Sequence, residues 1–64
     1  MKTHVLEIRV QKGIRASHLC KDAGIGMYSL WLIENDPDAN PRVRTLAKIA
    51  KALGVKVADL IEEE

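Results

Sequence analysis

Cysteine occurs once in these 64 residues, phenylalanine not at all, and tryptophan and tyrosine once each, as Trp31 and Tyr28. A single thiol excludes an internal disulfide. With no charged start leading into an apolar stretch and cleavage site, no signal peptide is evident and a reducing cytoplasm is the expected setting. No apolar run approaches the roughly 20 residues of a membrane span, so a soluble chain with no membrane partner is expected. Strand alternation, internal repeats, linkers and low-complexity segments are also missing. So is a large charge excess: ten Lys and Arg stand against nine Asp and Glu, a formal net charge of +1. Its distribution says more than its sum. With Glu62, Glu63 and Glu64 set aside, ten bases face six acids, giving a mildly basic body and an acidic tail.

Catalytic constellations are equally scarce. Nothing pairs a nucleophile with a base, cradles a phosphate in a glycine loop or juxtaposes two carboxylates, so neither an enzyme nor a cofactor is expected. His18 and Cys20 lie two apart on a helix and point to different faces, and His4 has no completing ligands, so no metal site is expected. His18 reads as a solvent-facing residue near Asp22, and Cys20 as a small core residue.

What is present is globular: 47% apolar and 30% charged residues, in one domain over residues 1–64 with little surface to bury. Val5 and Ile8 give a first helix running to Lys12 and closed by Gly13. Ala16 to Ala23 forms a second, barely two turns long, with Leu19 and Ala23 beside Cys20 and Gly24 as the stop. Gly26 can cap a third helix, from about Met27 to Asn35, whose apolar stripe is Leu30 and Ile33. Turn formers fill Asp36 to Asn40, and Pro41 reads as the first residue of a fourth helix capped by Asn40. There Val43, Leu46, Ile49, Ala50 and Leu53 repeat at three- and four-residue intervals until Gly54. Ala58 to Ile61 is a short fifth helix.

These residues resemble the phage Cro and C1 repressor (XRE) family of helix-turn-helix regulators. Leu19-Cys20, Gly24-Ile25, Leu30 and Ile33-Glu34 fall where that family places the core of its helix-turn-helix, here about residues 16–35. Asn40-Pro41, Thr45 to Val55 and Asp59-Leu60 look like its fourth helix and exit, so the resemblance covers about residues 5 to 61. It implies an all-α, five-helix, lambda-repressor-like DNA-binding domain, binding double-stranded DNA as a homodimer. The helix-turn-helix itself needs a small residue where its helices approach and one tolerant of positive φ in the turn, and Cys20 and Gly24 qualify. Arg9 matches the family's helix-one arginine that pairs with a glutamate ending the recognition helix, here Glu34.

At about 100° per residue, with Leu30 and Ile33 inward, Tyr28, Trp31, Leu32 and Asn35 point outward and Met27 sits at the border. By family position Met27, Tyr28, Ser29 and Leu32 occupy the base-contacting places, with Trp31 on the same face. Direct readout normally employs Arg, Lys, Asn or Gln; only Tyr28, Ser29 and Asn35 could hydrogen-bond a base here. Ala16 stands where many relatives carry a DNA-touching glutamine, Arg15 where they carry a Ser or Thr cap, and Asp36 and Asp38 bring negative charge to a phosphate-facing loop. Three readings of the aromatic face stay open. In the first it touches thymine methyls and sugars while Arg15, Lys21, Asn35, Arg42 and Arg44 supply phosphate contacts. In the second it is the centre of a protein interface, making the chain an antitoxin-like or coregulator module with a protein partner on helix three. In the third Trp31 lies back over helix two or the following loop with only its rim exposed. The reading favoured is a repressor-like, sequence-specific transcriptional regulator.

Overall fold

A computed structural model describes residues 2–61. Its helices are α1 (Val5–Gln11), α2 (Ala16–Ala23), α3 (Met27–Asn35), α4 (Val43–Leu53) and α5 (Val57–Leu60). Each contributes its periodic apolar positions to one core. Val5, Leu19, Leu30, Leu46, Ile49 and Leu60 are almost fully enclosed, with Cys20, Ala23, Ile33, Ala50 and Leu53 beside them. Burying one Leu or Ile of this kind contributes about 2 kcal/mol. α4, with the most regular stripe, packs on α2 and α5, while α1 packs on α3 and α4. The expected tail Glu62–Glu64 lies outside the described residues.

Local chemistry sets the boundaries. Gly24 ends α2 in the left-handed conformation (φ 70°), and both its own N–H and that of Ile25 donate to the Cys20 carbonyl at 2.8 and 3.0 Å. Gly54 ends α4 in the same way (φ 74°). A side chain at either would strain the backbone, which is why glycine serves there.

Three expected boundaries shift. α1 stops at Gln11, one residue early, with Lys12 as its C-cap. α4 begins at Val43 rather than Pro41, and its N-cap is Arg42 rather than Asn40. The proline ring presets the φ a first helical residue needs, but Arg42 after it is extended (φ −71°, ψ 151°), so the crossing from α3 reaches further before the helix starts. α5 begins at Val57 because the Asp59 carboxylate accepts the Lys56 N–H at 3.1 Å and fixes the first turn there. Ile61, expected inside that helix, instead bridges Thr3 in an isolated antiparallel pair, and the His4 N–H donates to the Leu60 carbonyl at 2.8 Å. Sequence patterning gave no sign of this β-bridge, because a single pair leaves no alternation to read.

Candidate nucleic-acid interface

α3 is presented by the turn Gly24-Ile25-Gly26. Gly26 is its N-cap (φ −78°, ψ 155°) and supplies no capping side chain. Leu30 and Ile33 anchor the helix inward, leaving Met27, Tyr28 and Trp31 with 55%, 72% and 56% of their surfaces exposed. Ser29 is exposed as well, whereas Leu32, placed outward by angle, is partly buried. Trp31 does not lie back with its rim alone in solvent. It stacks on Tyr28, one turn away, with ring centroids 6.3 Å apart and planes within 7° of parallel. Two largely apolar rings thus lie parallel and side by side on the exposed face of α3.

Two side chains, Arg9 and Thr3, hold the end of α3. Arg9 Nε donates to Glu34 Oε2 at 2.7 Å and Nη2 to Oε1 at 3.2 Å, while Nη1 donates to the Ile14 carbonyl at 3.1 Å. The two side chains are 14% and 6% exposed, so this two-pronged pair joins α1, the α1–α2 loop and α3 in a largely dry setting. The hydrogen bond to Glu34 raises the Arg9 pKa further above its already high value, against the opposing effect of burial. Burial pushes the neighbouring Cys20 thiol up, and the Glu34 charge adds to it, so this is an inert core thiol. Thr3 Oγ1 donates to the Ile33 carbonyl at 3.1 Å, satisfying one of the carbonyls a helix end leaves open. Neither the residue type nor its spacing marks Thr3 for this role; only the fold brings it there.

The expected phosphate-contacting residues divide. Arg15, Lys21, Arg42 and Arg44 are all exposed. Arg15 is the N-cap of α2 and makes no side-chain capping bond, leaving the first-turn amides of that helix uncapped by a side chain. Arg42 lines a shallow cleft with Ser29, Ala39, Asn40, Pro41 and Thr45, which brings a cation and further polar groups beside α3. Asn40 and Thr45 were not foreseen here, since Asn40 read as the cap of the fourth helix and Thr45 only as part of the stretch that resembles the family's fourth helix. Asn35 is also exposed, but its Nδ2 donates to the Trp31 carbonyl at 3.0 Å, one turn back on its own helix. Asp36 Oδ1 accepts the Asp38 N–H at 2.9 Å, a local turn that orders the acidic loop after α3. His18 lies 3.1 Å from Asp22 on the open face of α2. Among the described residues no group of three or more His, Cys, Asp or Glu could hold a metal ion, and no helix is long and apolar enough to cross a membrane.

The geometry agrees with that of known proteins. The family model for the Cro/C1-type HTH DNA-binding domain matches residues 4–64. The HTH-type transcriptional regulator SinR of Bacillus subtilis (strain 168) is 32% identical over 60 residues, which cover 94% of this chain and 54% of SinR. The chain therefore spans about half the length of that relative. Among solved structures, the N-terminal DNA-binding domain of SinR from Bacillus subtilis superposes with a TM-score of 0.84 at 31% identity, covering 95% of this chain and 88% of that one. SinR, the master regulator for biofilm formation, in complex with DNA gives 0.79 at 31% identity over 86% of this chain and 87% of that one.

Proposed function

The chain belongs to the Cro/C1-type helix-turn-helix family of DNA-binding domains, and on that premise we propose that it is a sequence-specific, repressor-like transcriptional regulator. α3 enters the major groove with Met27, Tyr28, Ser29, Trp31 and the exposed part of Leu32 toward base edges. Arg15, Lys21, Arg42 and Arg44 take the flanking phosphates. Asn35 contributes at the phosphate edge through the part of its amide not donated to Trp31. The carrying observation is that α3 is open opposite Leu30 and Ile33, with Arg42 in the cleft beside Ser29. A relative solved in complex with DNA supports the same assignment.

Size bears on stoichiometry. Half-sites read by paired recognition helices lie about 34 Å apart, and the Cα trace extends only 29 × 21 × 20 Å. One copy cannot reach both, so reading a two-fold operator takes a homodimer. The setting is the cytoplasm, where the operator is. Asp36 and Asp38 lower the affinity below that of a relative with a basic loop.

Counterion release supplies the test. Each neutralised phosphate steepens the fall of log affinity with log salt by about 0.9, so four contacts per copy cost roughly two orders of magnitude between 50 and 200 mM salt. A fluorescence titration of the 64-residue chain with random-sequence duplex should show that slope. No measurable binding at low salt overturns the assignment in favour of a protein partner on α3.

A further inference from the structure

We propose that α3 selects its site through the 5-methyl groups of thymine, so that the ligand of this face is a thymine-rich major-groove edge. This rests on the DNA-binding assignment above and says what that face recognises.

The inference starts from which polar groups α3 can still offer. Its sequence, Met27 to Asn35, contains no Arg, Lys, Gln or His. Glu34 is bound by Arg9 and is only 6% exposed, so it cannot accept from a cytosine amino group. Asn35 gives one of its two amide N–H donors to the Trp31 carbonyl one turn back, which ties the group to the C-terminal end of α3, away from the N-terminal turn that meets base edges, so it is poorly placed for the two-pronged bond that marks adenine. What remains is the Ser29 and Tyr28 hydroxyls, which donate or accept and so discriminate weakly. Guanine is marked by a two-pronged Arg or Lys, and Arg42, which shares a cleft with Ser29, stands at the edge of the face as the N-cap of α4.

One major-groove group remains that needs no hydrogen-bonding partner. The thymine C5-methyl is the apolar mark in the base-edge code, and it is read by apolar contact. Met27, Tyr28 and Trp31 supply that surface, each more than half exposed. The Tyr28 and Trp31 rings lie parallel, with centroids 6.3 Å apart, which sets two apolar surfaces side by side for methyl groups to pack against. Exposed cations on the neighbouring elements, Arg15 and Lys21 at α2 and Arg42 and Arg44 at α4, are available to the phosphates that flank such an edge.

Deoxyuridine differs from thymidine by that methyl alone. The experiment is a selection by the intact chain from two random duplex pools, one made with thymidine and one with deoxyuridine, followed by titration of individual duplexes. Thymine-rich sites should be enriched from the first pool and not from the second. Replacing one contacted thymine by uracil should weaken binding about 4-fold, the equivalent of about 0.8 kcal/mol for one buried methyl, and two replacements about 16-fold. Uracil outside the enriched positions should leave affinity unchanged. Trp31→Ala, with helix content checked by circular dichroism, should bring the thymine-to-uracil ratio toward one. The same consensus and affinity from both pools, or a consensus built on guanine, overturns the methyl selectivity while leaving DNA binding intact. Retention of neither pool at low salt overturns both readings together.

Discussion

At the scale of single residues, the Arg9–Glu34 pair joins two-pronged geometry to a high cost of disruption. An exposed ion pair contributes little, because water solvates both charges nearly as well as they solvate one another. Here water is largely gone: the carboxylate side chain is 6% exposed and the guanidinium 14%. Removing Arg9 leaves Glu34 as a lone, poorly hydrated charge and also strips the Ile14 carbonyl of its donor. Arg9→Ala should therefore destabilise the fold by about 3 kcal/mol. The double variant Arg9→Met/Glu34→Leu removes both charges and should recover most of that loss, since apolar replacements of similar volume are often neutral. Urea denaturation of the single and double variants checks both statements. A double variant as weak as the single one would mean that the pair stabilises the fold directly.

At the scale of elements, the sequence marked the turn of the helix-turn-helix clearly, because one residue there carries a conformational demand. Gly24 sits at φ 70°, and a Cβ placed on it would meet nothing within 4 Å. The penalty for a side chain is thus conformational rather than steric. Gly24→Ala should cost about 1 kcal/mol, and Gly24→Asn less because Asn tolerates the left-handed region. A drop in melting temperature larger for Ala than for Asn is the expected readout, and equal losses would point instead to packing against the new side chain. The stops at Gly24 and Gly54 and the stripe of α4 were legible for the same reason: each is written in adjacent residues. The start of α4 was not. Pro41 satisfies the local rule for a first helical residue, but the helix begins only after the extended Arg42, a position set by the crossing from α3 to the core. In the candidate interface, the outward angles of Tyr28 and Trp31 followed from helical periodicity. Their mutual stack and the return bond of Asn35 to Trp31 did not, since rotamers leave no trace in spacing.

At the scale of the whole molecule, the two ends of the described chain close on one another. Thr3 bridges Ile61, His4 donates to Leu60, and Val5 and Leu60 are both 0% exposed. Thr3 also reaches the end of α3, so the N-terminal segment, α3 and α5 share one clasp. The Thr3–Ile61 and His4–Leu60 contacts join residues more than 50 positions apart and form only when the rest of the domain is in place, which ties the ends to a single cooperative unit. A domain of this size has about 5 kcal/mol in hand. Leu60→Ala empties one fully enclosed site in the clasp and should remove about 3 kcal/mol of it. The transition followed by far-ultraviolet circular dichroism should then broaden and fall by many degrees. Because the same clasp secures the end of α3, the orientation of the reading helix should loosen with it, and DNA affinity should fall even at temperatures where most of the helix content persists. A Leu60→Ala chain that lost stability but kept full affinity below its transition would show that α3 is positioned by Arg9, Leu30 and Ile33 without help from the closing ends.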